Sequence, residues 1–196
     1  MNKNPSTRVA QVAALGEVVF HAQDLANLWG IENQNTLHTT LSRYARQGIL
    51  YRIHNGLYSI KKMTDLDPYL LGLKTLHAPG YVSCESVLYD HGIINQPPQE
   101  ITLVGAKSKR FQMPPYFFRS RRLADRYLFN DAGIEIKNGL RIATVERAMA
   151  DLLYFHPKKY FDAAEPNMVD WEKVQNIAQT VGYSISIPKI YAASAA

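Results

Sequence analysis

The pattern of apolar and polar residues over 18–60 predicts a short strand, two helices and a hairpin, in that order. The strand is the β-branched and aromatic run Val18-Val19-Phe20. The first helix spans Ala22 to Trp29 and places its apolar side chains at helical spacing, at Leu25, Leu28 and Trp29. Gly30 is expected to end this helix, because glycine readily adopts the left-handed conformation that closes helices.

The second helix is predicted to begin after Asn33, which can cap it, and to run to about Gln47 before Gly48. The 3.6-residue period places its apolar side chains on one face, at Leu37, Leu41, Tyr44 and Ala45. The opposite face mixes hydrogen-bonding side chains with cations, namely Asn35, His38, Thr39, Ser42, Arg43 and Arg46. Base edges and phosphates are recognised by this mixture of groups.

Asn55-Gly56 predicts a two-residue hairpin turn, because both central residues of that turn need positive φ. Counting outward from the turn predicts the facing pairs His54 with Leu57, Ile53 with Tyr58, Arg52 with Ser59 and Tyr51 with Ile60. In this register the inward side chains are Tyr51, Ile53, Tyr58 and Ile60. The outward ones are Arg52, His54 and Ser59.

The order strand, helix, helix, hairpin is that of a winged helix-turn-helix, a DNA-binding structure. Residues 1–62 contain seven Lys and Arg against three Asp and Glu, a net of +4 out of +5 for the whole chain. The predicted DNA-binding residues are the polar helix face together with Arg52, His54, Asn55, Lys61 and Lys62. The alternative is a protein-interaction module without sequence-specific DNA binding, in which these cations are merely solvated.

The 196 residues are enough for a domain over 1–62 and a second over 63–183, with a peripheral or partly disordered tail over 184–196. An apolar fraction of 46% favours folded domains over disorder. The single cysteine, Cys84, excludes an internal disulfide and predicts a small buried side chain. Met1 to Arg8 lacks the apolar core of a signal peptide, and no run is long enough to span a bilayer, so a cytoplasmic protein without a membrane partner is expected.

The second domain is predicted to be α+β, with a small mixed sheet flanked by helices. Its helices are expected over Asp65–Leu76, Tyr81–His91 with Ser83 as cap, Thr144–Tyr154 and Asp170–Val181. Its extended runs are Glu100–Val104, Tyr116–Arg119, and the pair Ile134–Ile136 and Leu140–Ala143 joined by Asn138-Gly139.

A basic and aromatic segment follows the second of these helices. Its cations are Lys107, Lys109, Arg110, Arg119, Arg121, Arg122 and Arg126, and its rings are Phe111, Tyr116, Phe117 and Phe118. Such interleaving can hold nucleic acid by phosphate contact and stacking, which makes the segment a possible secondary basic surface. Strand alternation alone also produces the pattern, with core aromatics and solvated cations, and that explanation is favoured.

Catalysis has no positive support in the sequence, and neither an enzyme nor a cofactor is predicted. Glu135-Ile136-Lys137, with Asp125 or Asp131 upstream, resembles the acidic and lysine set of metal-dependent nucleases, which is kept as an alternative. The six histidines lack metal-ligand spacing, so no metal site is predicted. The chain has no Gly-rich phosphate loop and no Gly-x-Ser-x-Gly elbow.

Two further segments, together with the N-terminal order, resemble AbiEi-type antitoxins and transcriptional regulators of abortive-infection systems. They are Tyr81-Val82-Ser83-Cys84-Glu85-Ser86-Val87-Leu88-Tyr89-Asp90-His91-Gly92-Ile93 and Gly139 to Tyr154, which contains Ala143-Thr144-Val145-Glu146-Arg147. The resemblance covers residues 8 to about 183, and the tail from Ser184 to Ala196 has no counterpart in it.

The resemblance implies a repressor that binds inverted repeats of double-stranded DNA in its own promoter, as a monomer or weak dimer that is cooperative on DNA. It implies that the C-terminal domain counters a nucleotidyltransferase-like toxin without forming a stable complex with it. Glu146, Arg147 and Asp151 are equally open to a structural role, as ion pairs that hold their helix against the sheet.

Overall fold

The computed structural model describes residues 5–157 and 168–187. The chain divides into two compact units, Met1–Thr75 and Leu76–Ala196. Both units combine helices with a β-sheet, so the predicted α+β class is confirmed. The predicted tail lies outside the described residues from position 188 onward. No helix among the described residues combines the length and apolarity needed to cross a membrane.

The described part of the first unit contains four α-helices, the last of which ends one residue past the unit's boundary, and a three-stranded antiparallel sheet of order β1-β3-β2. In chain order its elements are α1 (Pro5–Ala14), β1 (Val19–His21), α2 (Ala22–Trp29), α3 (Gln34–Arg46), β2 (Tyr51–His54) and β3 (Leu57–Ser59). A 3-10 turn over Met63–Asp65 and helix α4 (Pro68–Leu76) follow. The core joins α1, α2, α3 and the sheet through Val12, Phe20, Leu25, Ala26, Trp29, Leu37, Leu41, Tyr44, Leu50 and Tyr58.

Local sequence signals set the bounds of α2 and α3 as predicted. Gly30 closes α2 in the left-handed conformation, with φ of +65°. Asn33 caps α3, because its side-chain oxygen accepts a hydrogen bond from the Thr36 backbone N–H at 3.0 Å. Helix α1 was not predicted, since its polar first half hides the buried positions Arg8 and Val12.

The β2–β3 hairpin turns at Asn55-Gly56 as predicted, but its register is one residue different beyond the first pair. His54 faces Leu57, whereas Arg52 faces Tyr58 and Tyr51 faces Ser59, because a bulge at Ile53 adds one unpaired residue to β2. Predictions for two side chains were therefore wrong. Ser59 is fully buried on the central strand rather than outward, and Ile60 is 37% exposed rather than packed inside.

The second unit is built on a six-stranded mixed sheet of order β6-β7-β5-β4-β9-β8. Its strands are β4 (Gly80–Val82), β5 (Ile101–Gly105), β6 (Lys109–Met113), β7 (Tyr116–Arg122), β8 (Ile134–Lys137) and β9 (Leu140–Ala143). Its helices are α5 (Glu85–Asp90), α6 (Asp125–Leu128), α7 (Val145–Phe155) and α8 (Trp171–Val181). The predicted hairpin at Asn138-Gly139 joins β8 to β9, and both turn residues have positive φ.

The predicted bounds of two helices, Tyr81–His91 and Asp65–Leu76, were wrong. Tyr81 and Val82 lie in the inner strand β4, between β5 and β9, and helix α5 begins only at Glu85 after Cys84. Pairing with strands distant in sequence outweighs the helical period there. The predicted helix from Asp65 instead begins at Pro68, a residue suited to a first helical position.

A buried network of hydrogen bonds joins α7 to the sheet around Arg147 and Asp151. Both side chains are fully buried, and Arg147 Nε lies 3.0 Å from Asp151 Oδ1. The Asp151 carboxylate accepts hydrogen bonds from the hydroxyls of Tyr81 at 2.9 Å, Ser83 at 2.7 Å and Tyr183 at 2.7 Å. The predicted i, i+4 ion pair between Arg147 and Asp151 is therefore confirmed, whereas Glu146 pairs with Lys173 of α8 at 3.4 Å.

The other donors of Arg147 are also satisfied. Its Nη1 donates to the carbonyl oxygens of Asn130 and Ala132, and its Nη2 donates to the hydroxyl of Tyr81. Burial and the Asp151 carboxylate raise the pKa of Tyr81 and of Tyr183 well above the usual value, so both hydroxyls remain protonated donors. The pair therefore anchors α7, the turn before β8 and the strand β4 at one point.

We expect Asp151→Ala to lower the free energy of unfolding by about 3–5 kcal/mol, because Arg147 would be left as a buried charge without its carboxylate. Asp131→Ala is the matched control. Asp131 pairs with Arg141 at the surface and is 76% exposed, and surface pairs contribute about 0–1 kcal/mol. Urea unfolding of both variants measures the difference, and equal costs would contradict the anchoring role.

Candidate nucleic-acid interface

Helix α3 presents the polar face that the sequence predicts. The predicted residues Asn35, His38, Thr39, Ser42, Arg43 and Arg46 are all exposed, and Leu37, Leu41 and Tyr44 are buried. Thr40 is also buried, which the helical period did not indicate. The face is therefore continuous along the helix and available to a ligand from solvent.

Packing against α2 holds α3 in place. The rings of Trp29 and Tyr44 meet edge to face, with centroids 5.6 Å apart. Only the four residues from Gly30 to Asn33 connect the two helices, and the left-handed Gly30 turns the chain between them. The outward face of α3 is consequently set by a rigid helix pair rather than by a loop.

The chemistry of the α3 face is a hydrogen-bonding first half and a cationic end. The Thr39 hydroxyl donates to the Asn35 carbonyl at 2.8 Å, so its oxygen is left as an acceptor. Arg43 and Arg46 lie in the last turn. There their charges also stabilise the helix by opposing the partial negative charge of its C-terminus. The Arg43 guanidinium lies 5.5 Å from the Tyr44 ring centroid.

The tip of the β2–β3 hairpin carries a second group of the predicted residues. Arg52, His54 and Asn55 are exposed, and the Arg52 guanidinium donates to the Asn55 side-chain oxygen at 2.6 Å. This bond joins β2 to the first residue of the turn and orients the arginine along the hairpin. Lys61 and Lys62 are exposed just beyond β3.

Not every charge counted in the sequence of the first unit contributes to its surface. Arg8 is 93% buried, with its guanidinium 5.6 Å from the Trp29 ring centroid, and so adds little to the surface. Glu17 pairs with Lys74 at 2.6 Å, which neutralises one of the acids. The exposed cations of residues 5–62 are the five predicted ones, Arg43, Arg46, Arg52, Lys61 and Lys62.

The basic and aromatic segment of the second unit forms strands β6 and β7 and the loop before them. Lys107, Lys109, Arg110 and Arg122 are exposed, and Arg119 is half-buried. The predicted surface role of Arg121 was wrong: it is 94% buried and forms two hydrogen bonds, of 2.6 and 2.8 Å, with the Glu85 carboxylate. Phe118 is buried and stacks on Phe111, as expected of an ordinary strand.

Ser83 and Cys84 form a buried turn between β4 and α5. Thr102 links both sides of the turn, because its backbone N–H donates to Ser86 Oγ at 2.8 Å and its hydroxyl donates to the Ser83 carbonyl at 2.6 Å. Cys84 sits in the turn with φ of +59° and is fully buried, which confirms the prediction of a small buried side chain. Burial raises the pKa of its thiol to about 12, so the thiol stays neutral.

The residues of the nuclease alternative do not converge. Glu135 and Lys137 pair with each other at 2.9 Å on the exposed strand β8, and Asp131 pairs with Arg141. Asp125 lies at the start of α6. Within residues 5–157 and 168–187, no group of three or more His, Cys, Asp or Glu side chains is placed to hold a metal ion.

Comparison with known proteins shows a similarity of fold. No protein-family model matches the chain, and no curated protein sequence matches it. Among solved structures, the chain is similar to the crystal structure of the Rv2827c protein from Mycobacterium tuberculosis, with a TM-score of 0.54. The alignment covers 93% of this chain and 73% of that one at 14% identity, a level at which only the fold is shared.

We expect Gly56→Val to destabilise the hairpin by about 1–2 kcal/mol, because a β-branched residue is strained at positive φ. Gly56 has φ of +74°, and no atom lies within 4 Å of the place that a Cβ would occupy, so the cost is backbone strain rather than a clash. Gly56→Asn is the control, since asparagine tolerates this conformation. Chemical unfolding that shows equal stability for the two variants would contradict the strained turn.

Proposed function

We propose that this protein is a sequence-specific DNA-binding transcriptional repressor, and that its first unit is a winged helix-turn-helix. Helices α2 and α3 are the helix-turn-helix, α3 is the recognition helix, and the β2–β3 hairpin is the wing. The observation that carries the proposal is the exposed face of α3, where hydrogen-bonding side chains precede Arg43 and Arg46.

The α3 face has the chemistry that base reading requires. The major groove of B-DNA accepts an α-helix, and there asparagine pairs with adenine while arginine pairs with guanine. Asn35, His38 and Ser42 supply donors and acceptors, and the two arginines supply bidentate donors. In this proposal Arg52, Asn55, Lys61 and Lys62 contact phosphates beside the groove and fix the register of the helix.

We further propose that the repressor controls its own operon through inverted repeats and is the antitoxin to a nucleotidyltransferase-like toxin from that operon. The support is the resemblance carried by residues 81–93 and 139–154. The shared Ser83, Glu85, Arg147 and Asp151 are engaged in buried or part-buried hydrogen bonds, so their part is to build the second unit. Antitoxic contacts then belong to the surface of that unit.

The competing proposal is a protein-interaction module without DNA specificity, and salt dependence separates the two. Phosphate neutralisation releases counterions, so the logarithm of a specific DNA affinity falls steeply with the logarithm of salt concentration. A module that binds only proteins gives no such slope and no preference for its own promoter over shuffled DNA.

Arg43→Ala combined with Arg46→Ala should weaken binding to the protein's own promoter by about 30-fold or more, because each lost contact costs about 1–3 kcal/mol. Fluorescence anisotropy with promoter and shuffled duplexes at several salt concentrations measures the affinity and its salt slope. The charge-matched control is Lys137→Ala with Lys173→Ala, which removes two exposed cations that lie outside the α3 face, the hairpin and the basic and aromatic segment.

The control pair should leave promoter affinity nearly unchanged. Equal weakening by both pairs would show that net charge alone explains the effect. Unchanged affinity in the α3 variant, with its fold verified by circular dichroism, would contradict the recognition-helix assignment.

The DNA-binding and antitoxin parts of the proposal can be tested separately in cells. Expressed from an unrelated promoter beside the toxin gene of its operon, the Arg43→Ala, Arg46→Ala variant should still restore growth, because the second unit is intact. Growth assays with wild-type and variant chains give the comparison. Loss of rescue would show that repression alone protects, and an operon without a nucleotidyltransferase-like gene would contradict the antitoxin role.

A further inference from the structure

Strand β8 forms one edge of the six-stranded sheet, and no strand of the described residues pairs with its outer side. Three of its four residues are exposed. Ile136 is 76% exposed and is the most exposed of the large apolar side chains in the described part of the chain. An edge strand of this kind offers its backbone groups and an apolar side chain to another strand.

The pairing of β8 with β9 decides which backbone groups of β8 point outward. Lys137 and Leu140 flank the two-residue turn, which makes them a hydrogen-bonded pair. Hydrogen-bonded pairs alternate along an antiparallel ladder, so Glu135 also directs its backbone groups toward β9, and Ile136 does not. The N–H and C=O of Ile136 therefore point to the outer edge, where they are available to a second strand.

The side chains on either side of Ile136 carry opposite charges. Glu135 and Lys137 are both about half exposed and pair with each other at 2.9 Å within the strand. If two copies of β8 pair antiparallel about a two-fold axis at Ile136, each Glu135 lies opposite the partner's Lys137. Moving the axis by one residue would place Glu135 opposite Glu135, or Lys137 opposite Lys137, and like charges directly opposite are destabilising. Charge therefore selects a single register.

The other edge of the sheet, strand β6, is protected against such pairing. It carries the exposed cations Lys109 and Arg110 and no acidic residue. Glu100 pairs with Arg110 from outside the strand, and Lys109 leaves this edge with a positive charge. Lysine on an edge strand is one of the devices by which proteins prevent strand pairing. Strand β8 has no net charge and lacks this protection.

We infer that β8 is a self-association surface, at which a second copy of this chain adds its own β8 in antiparallel orientation. The N–H of each Ile136 donates to the C=O of the partner's Ile136, and the two exposed isoleucine side chains lie side by side on one face. Glu135 and Lys137 form the two cross-strand ion pairs on the other face. The inference does not rest on the proposed DNA binding, since it concerns the free chain.

Sedimentation equilibrium of the full-length chain, over a series of concentrations, tests the inference through charge. Glu135→Lys alone, or Lys137→Glu alone, places like charges opposite each other in both ion pairs, so each variant should weaken self-association about tenfold or more. An equimolar mixture of the two variants restores opposite charges in both pairs and should associate as the wild type does. Misfolded chains would not regain association on mixing.

Two control substitutions separate the contact from net charge. Glu32→Lys makes the same change of charge at an exposed position of the first unit and should leave association unchanged. Lys137→Ala removes an attraction without creating a repulsion, so association should weaken by about threefold at most. The alanine pair that serves as the control for DNA binding therefore keeps the contact.

Ile136→Pro tests the backbone hydrogen bonds. Proline is tolerated on edge strands, and the N–H that it removes is not used in pairing with β9, so the variant should fold but lose self-association. Ile136→Val keeps the N–H and should retain association. Wild-type chains that stay monomeric over the whole series, a mixture that fails to restore association, or Glu135→Lys or Ile136→Pro chains that associate as the wild type does would overturn the inference.

Discussion

The buried pair of Arg147 and Asp151 is the constraint on which the second unit depends. A charge pair without water is costly to bury, and it is tolerated only where the remaining donors and acceptors are satisfied. Here the carboxylate accepts from three hydroxyls, and the guanidinium donates to backbone carbonyls of the turn before β8. One point thereby fixes a helix, an inner strand and a turn, and a misplaced element would leave a buried charge unpaired.

The same reasoning explains the motif around residues 83–86. Glu85 neutralises the buried Arg121 of β7, and Ser83 and Ser86 exchange hydrogen bonds with Thr102 of β5. These side chains join α5 to two strands that lie far from it in sequence. Ser83, Glu85, Ser86, Arg147 and Asp151 are thus all engaged in contacts that build the second unit.

In the first unit, the helical period of α3 gives this helix one buried face and one exposed face. Tyr44 faces inward, where its ring packs on Trp29, while Arg43 beside it is exposed. Adjacent residues on one rigid helix thus belong to the core of the first unit and to the candidate nucleic-acid interface.

The sequence by itself determined α2, α3 and the hairpin turns at Asn55-Gly56 and Asn138-Gly139, because caps, left-handed glycines and helical spacing act over a few residues. It also indicated the exposed face of α3. Only the tertiary structure decided that Tyr81 lies in a strand, that Arg121 is buried, and that a bulge shifts the hairpin register. The first two outcomes depend on partners many residues away, such as Ile142 for the strand of Tyr81 and Glu85 for Arg121, and local patterns carry no information about which distant groups will meet.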